Sequence, residues 1–247
     1  DTIVHEPRHG ASRATVILVH GITVDRDEGG MFVRLADHLA AAGHTAIRFS
    51  FRGHGNSGGS TTGATIAGEI LDLQAVIDHA RSMNAGPLVI VAASFGAVPT
   101  ALTLPYVPDL AALVLWSPVL DLRRTFTEPE LPWGKDNFGA EQQQALRREG
   151  SLLVDGEWKL GRVLFDEMRL YDPQSPLLTS SVPTLAVHGD RDTYVPYDVT
   201  KAVAAQRPGT ELHTVAGSGH GFDTREREDE AIAVTVDWVA RRFKAER

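Results

Sequence analysis

No cysteine occurs in the 247 residues, so disulfides, thiolate nucleophiles and Cys-ligated metals are excluded. No apolar run approaches the roughly 18–20 residues that cross a bilayer, and no membrane span is expected. Basic residues are outnumbered, 24 Lys and Arg against 32 Asp and Glu, giving a formal net charge of −8. Phosphate binding needs clustered cations, so this balance argues against nucleic acid as a partner. Asp1 to Gly10 hold no apolar signal core. A cytoplasmic location is the expectation, although Asp rather than Met at residue 1 leaves a trimmed leader and secretion open. Repeats and low-complexity tracts are absent. The remainder is ordinary, 43% hydrophobic and 23% charged, which suits one large α/β domain or one domain with an insert. A homodimer is compatible with it.

Short apolar runs alternate with amphipathic stretches. Strands are expected at Thr15–His20, Thr45–Phe49, Leu88–Ala92, Leu113–Trp116, Thr184–His188 and Leu212–Val215. The best of them are continuous in Val, Ile, Leu and Ala, the pattern of strands buried on both faces of a parallel sheet. Between them, Phe32, Leu35 and Leu39 share a helical face, as do Ile66, Ile70, Leu73, Ile77 and Ala80, and finally Ile232, Val236, Val239 and Phe243. Strand and helix in alternation predict an α/β fold with a mostly parallel, doubly wound sheet. The alternation breaks over residues 121–172. That stretch is too long for a connection and, with Phe126, Trp133, Phe138, Trp158 and Phe165, too aromatic for a disordered linker. It predicts a cap inserted into a single domain spanning 1–247.

Three places in this frame carry chemistry. The run Leu88–Ala92 leads into Ala93-Ser94-Phe95-Gly96-Ala97, a strand entering a small-residue turn with serine at its apex and a helix beyond. Such a turn strains the central residue and projects its side chain from the end of the strand. Ser94 could equally cap the helix, and the pentapeptide alone leaves both readings open. A serine nucleophile needs an imidazole base with a fixed tautomer. His220, in Gly217-Ser218-Gly219-His220-Gly221, follows the last strand and is flanked by glycines that permit close approach. A carboxylate to orient it is offered by Asp190 or Asp192, both at the C-terminal edge of the sheet where open α/β sheets place their sites. Asp121 is a weaker candidate. After the first buried strand, Gly21 permits a turn that aims the Ile22 N–H inward, where the Phe95 N–H would join it as an oxyanion hole. His20 reads as structural. The glycine-rich loop Phe51–Ser57 lacks the lysine of a P-loop and the spacing of a dinucleotide fingerprint, and reads as a turn beside the site.

The set His20-Gly21, Arg52-Gly53-His54-Gly55, Ala92-Ala93-Ser94-Phe95-Gly96, Gly189-Asp190-Arg191-Asp192 and Gly219-His220-Gly221 resembles the α/β-hydrolase family over nearly the whole chain. The order Ser, Asp, His is that family's order. The resemblance implies Ser94, Asp192 and His220 as catalytic residues, with the acid at the third position after Gly189, and Ile22 and Phe95 as backbone oxyanion donors. Ala92, where the family pattern has glycine, is the one departure. More narrowly the chain is similar to bacterial cinnamoyl/feruloyl esterase-like hydrolases, whose cap closes over an aromatic acyl group. That likeness implies a serine carboxylic-ester hydrolase acting on small aromatic or short acyl esters without metal or organic cofactor, with Trp133, Phe138 and Tyr171 as substrate contacts. Packing of the cap is an equal reading of those three rings. A thioesterase, lactonase or amide hydrolase would share the chemistry, and a non-catalytic binding protein would be expected to lack one of the three residues.

Overall fold

A computed structural model describes residues 1–83 and 85–244. The described residues form a seven-stranded sheet in which β1 (Thr2–His5), β3 (Thr45–Phe49), β2 (Thr15–Val19), β4 (Leu88–Ala93), β5 (Leu110–Trp116), β8 (Thr184–Gly189) and β9 (Thr210–Val215) lie side by side in that order. Only β1 runs antiparallel to its neighbour. All the expected strands are present. β1 was not legible because a single apolar pair, Ile3-Val4, marks it, and as an edge strand it is half-exposed.

The continuous apolar runs divide between two layers. Ile17 and Val19 of β2 face one side with Ile47, Ile90 and Leu113, against Leu73 and Ile77 of α2 (Ile66–Ser82) and Ala97 and Ala101 of α3 (Ala97–Thr103). Val16 and Leu18 face the other with Val89, Val91 and Trp116. There they meet Phe32, Leu35 and Leu39 of α1 (Met31–Ala41) and Ile232, Trp238 and Val239 of α9 (Arg225–Arg242). Each inner strand therefore buries both sets of its alternating side chains, which is why it shows no polar alternation. Thr65 and Thr224 cap α2 and α9 through their side chains.

Residues 121–172 cover the C-terminal edge of the sheet. They contain α4 (Pro132–Phe138), α5 (Ala140–Glu149), an antiparallel hairpin of β6 (Ser151–Val154) and β7 (Trp158–Gly161), and α6 (Arg162–Glu167); α7 (Gln174–Thr179) follows them. Asp155 and Gly156 at the hairpin tip have φ of 50° and 74°. Asp-Gly is the sequence signal for such a left-handed turn, and it went unread between two short strands. The excursion has a core of its own, in which Phe126, Phe138, Leu152, Leu160 and Phe165 pack with Ile22, Phe95 and Val195 of the main layers. It is fastened at its far side too. The Glu167 carboxylate accepts the Ile66 N–H at the start of α2 (2.5 Å), Thr61 donates to the Lys159 carbonyl (2.7 Å), and a Cβ at Gly161 would lie 1.9 Å from the Thr62 carbonyl oxygen.

One expectation is corrected here. Phe138 does not face a substrate: it is fully buried, edge-on to Phe126 and Trp133 and tilted against Phe165. Tyr171 lies outside the cavity that holds Ser94 and opens into a separate depression beside Leu122, Arg123 and Pro173. Phe138 serves the interior of the excursion, because α4 ends with its apolar side turned inward. Phe138→Ala is expected to cost about 3–5 kcal/mol of stability in denaturant unfolding; a loss below about 1 kcal/mol would contradict this placement.

Candidate functional site

The peptide turns sharply after β4. Ser94 has φ +50°, a left-handed conformation that costs a non-glycine residue energy and lifts its side chain clear of the sheet. Close packing makes the turn possible. A Cβ at Gly96 would lie 2.6 Å from the carbonyl oxygens of both Val19 and His20, and one at Gly21 would lie 3.2 Å from the Ser94 Cβ. Ala92, where the family pattern has glycine, is fully buried in β4.

The Ser94 hydroxyl donates to His220 Nε2 at 2.9 Å, and His220 Nδ1–H donates to Asp192 Oδ2 at 2.7 Å. These three side chains come from the turns after β4, β8 and β9. The other two carboxylates are occupied elsewhere. Asp190 accepts the Gly217 N–H (2.6 Å) and so ties the histidine loop to the acid loop, while Asp121 accepts the Arg124 N–H (3.0 Å). Glycine at 189 has its own reason: a Cβ there would lie 2.3 Å from the Ser218 carbonyl oxygen.

Asp192 is held by more than His220. Its Oδ1 accepts the N–H groups of Tyr194 (2.7 Å) and Val195 (2.9 Å), and its Oδ2 accepts from His188 Nε2 (2.9 Å). His188 is completely buried at the end of β8, and Thr200 of α8 (Tyr197–Gln206) donates to its Nδ1 (2.9 Å). Burial alone would raise the Asp192 pKa, but His220 and His188 outweigh it and hold the carboxyl below the ordinary carboxylate range. For His220 burial works to lower the pKa. Asp192, then Glu28 and Asp223, reverse this and raise it above 6.5.

Ile22, on one turn, lines the cavity with Ser94, and Phe95 follows Ser94 on another. His20 braces the first: its Nδ1–H donates to the Gly21 carbonyl (2.7 Å) and its Nε2 accepts the Phe51 N–H (3.0 Å). That double use fixes a neutral tautomer, and burial pushes its pKa down to about 3. His54, in the glycine-rich loop, donates from Nε2 to the Ile22 carbonyl (3.0 Å). Both histidines bond backbone, as expected of His20 and of that loop.

Glu28 was invisible to sequence reasoning. It sits in the run Asp25-Arg26-Asp27-Glu28, which reads as a solvated turn. Yet its side chain is folded inward with φ +47°, and its carboxylate accepts the Gly21 N–H at 2.7 Å. Burial pushes its pKa up to about 7, against the opposing pull of the Gly21 N–H and His220. His188 and Tyr194 were likewise unread, because residue type and spacing do not say that they meet Asp192 and His220.

Ser94, His220 and Glu28 open into one cavity of about 400 Å³, walled by Ile22, Phe126, Trp133 and Tyr194. Of the three expected substrate contacts, only Trp133 reaches it. Among its lining residues there are carboxylates but no Lys or Arg. Glu28→Gln keeps an acceptor for Gly21 and removes a charge that raises the His220 pKa. NMR titration of the His220 ring is expected to show a lower midpoint in this variant than in the parent; an unchanged or higher one would contradict the electrostatic role.

A family model described as serine aminopeptidase, S33, matches residues 10–145, more than half of the chain. The match takes in Ser94, Ile22 and Phe95; Asp192 and His220 lie beyond it. Among solved structures, Est1E from Butyrivibrio proteoclasticus with ferulic acid bound superposes with a TM-score of 0.80 at 21% identity, covering 97% of this chain and 95% of that one. A thermophilic esterase from Thermogutta terrifontis, malate bound, gives 0.72 at 19% identity over 99% and 94%. A monoacylglycerol lipase from Paleococcus ferrophilus gives 0.71 at 17% identity over 98% of each chain. At such identities the likeness is one of fold. With the parallel sheet, the strained serine turn and the family match together, the chain belongs to the S33 serine aminopeptidase-like family of α/β hydrolases.

Proposed function

We propose that the protein is a serine carboxylic-ester hydrolase that works through an acyl-enzyme on Ser94. The observation that carries this reading is the unbroken relay from the Ser94 hydroxyl to His220 and on to Asp192, at the floor of a cavity open to small molecules. His220 takes the serine proton as Ser94 attacks the ester carbonyl, and Asp192 stabilises the resulting imidazolium. The Ile22 and Phe95 amides hold the tetrahedral oxyanion, each such donor being worth roughly 10²–10³ in turnover. His220 then protonates the departing alcohol. A water deprotonated by the same ring cleaves the acyl-enzyme and restores Ser94.

Residues 121–172 serve in this proposal as the cap, and Trp133 with Phe126 and Tyr194 as the wall that meets the acyl group. Three aromatic faces on one cavity suit a flat aromatic acyl group of the hydroxycinnamoyl kind or a short aliphatic one. The ferulic acid in the Est1E structure agrees with the first choice. A second reading, amide hydrolysis, draws on the family description and on the carboxylates Glu28, Asp223 and Glu228 along the cavity, which favour a cationic substrate.

Hydroxycinnamoyl and short-chain p-nitrophenyl esters assayed beside aminoacyl p-nitroanilides separate the two. The ester reading expects turnover of the esters, with a burst of p-nitrophenol that Ser94→Ala abolishes. Asp192→Asn is expected to lower kcat by about 10⁴, and Asp190→Asn to leave most of it. Preference for the anilides would favour the second reading, and full activity in Ser94→Ala would overturn both.

A further inference from the structure

Beyond the triad, a column of stacked rings stands on the histidine. The Tyr194 ring lies 5.0 Å from His220 with 10° between their planes, and Trp133 lies 4.8 Å from Tyr194 at 6°. Edge-to-face contacts dominate among the protein's other aromatic pairs, so two successive parallel stacks ending on one imidazole are a distinct arrangement. The column is tied at both ends. Tyr194 gives its own N–H to Asp192, so a single residue holds the acid through its backbone and covers the base with its ring. The Trp133 N–H donates to the Thr193 carbonyl (3.3 Å), and its indole Nε1–H donates to the Asp155 carboxylate (2.9 Å).

Asp155 is the tip of the β6–β7 hairpin. It is further fixed by Asn137, which donates from Nδ2 to its carboxylate (3.0 Å) and accepts its N–H at Oδ1 (2.9 Å). Asp155 does not line the cavity. The same hairpin reaches the other side of the site, where Trp158 of β7 stacks on His54 at 5.7 Å and 24°, and His54 donates to the Ile22 carbonyl.

We infer that Tyr194 is a positioning residue for His220, and that the β6–β7 hairpin, through Asp155 and Trp133, holds the Tyr194 ring against the imidazole. The inference rests on His220 being the base of the proposed reaction. An imidazole on a glycine-flanked loop can swing about its side-chain bonds. Hydrogen bonds to Ser94 and Asp192 fix its edge, and the stacked ring removes the tilt that those two bonds leave free. In this arrangement the excursion does two things: it encloses the acyl group, and it sets the attitude of the proton acceptor.

Misplacement of a catalytic group by about 1 Å costs up to about 10²-fold. Tyr194→Leu, which keeps an apolar side chain at a half-exposed position, is therefore expected to lower kcat by about 10- to 100-fold, beyond any change in KM that its place in the cavity wall brings. Tyr194→Phe keeps the ring and is expected to restore most of kcat. Asp155→Ala, outside the cavity, is expected to lower kcat in the same sense, and the double variant Asp155→Ala/Tyr194→Leu to lose no more than Tyr194→Leu alone. The far-downfield proton resonance of the His220–Asp192 hydrogen bond reports the ring directly and is expected to broaden in both single variants. Retention of kcat and of that resonance in both, or a change in KM alone, would overturn the inference. His220→Ala is the control: if it remains active, the reading of His220 as base fails instead.

Discussion

Four donors converge on the Asp192 carboxylate: the two histidines His188 and His220 and the amides of Tyr194 and Val195. A buried carboxylate is tolerable only when its oxygens are satisfied in this way, and removing one partner is costly because a charge is left behind. The four donors answer three structural demands. His188 is the end of β8, pinned from behind by Thr200 of α8. Tyr194 and Val195 are the turn that follows. His220 arrives from the loop after β9. The position of the acid therefore registers the sheet, a flanking helix and the histidine loop against one another, and Ser94 is reached through the last of these.

Close approach of backbones is the second requirement. Glycine at 21, 96 and 189 leaves room for the Ser94 side chain, for the carbonyls at the end of β2, and for the carbonyl of Ser218. A methyl group at any of these would push apart turns whose separation defines the site. The strain at Ser94 is sustained by that packing and by the bond from the Val119 N–H to its carbonyl (3.0 Å). The excursion then adds to the same edge of the sheet, sealing it with Phe126, Phe138 and Phe165 and contributing Trp133 to the cavity.

Much of this was legible from the residues. Strands buried on both faces announce themselves as unbroken apolar runs, and the serine turn, the acid loop and the glycine-flanked histidine each follow such a run. The choice of Asp192 over Asp190 came from family resemblance, and the geometry gives it a cause: Asp190 is spent on Gly217. What stayed hidden was the direction of side chains within irregular segments. Four charges in a row at 25–28 do not reveal that only Glu28 turns inward to Gly21. Aromatic residues in the excursion look alike in the sequence, yet Phe138 fills the interior, Tyr171 faces another depression, and Phe126 and Trp133 meet the cavity. Tyr194 is a single letter in a loop until its ring is seen to lie on His220.

The central claim is that Ser94 is acylated and that His220 makes it reactive. Peptide mass spectrometry after brief exposure to a fluorophosphonate tests it most directly. The account predicts one adduct, on the peptide carrying Ser94, formed far more slowly in His220→Ala and absent in Ser94→Ala. An adduct on another residue, or labelling of Ser94 at the same rate without His220, would contradict it.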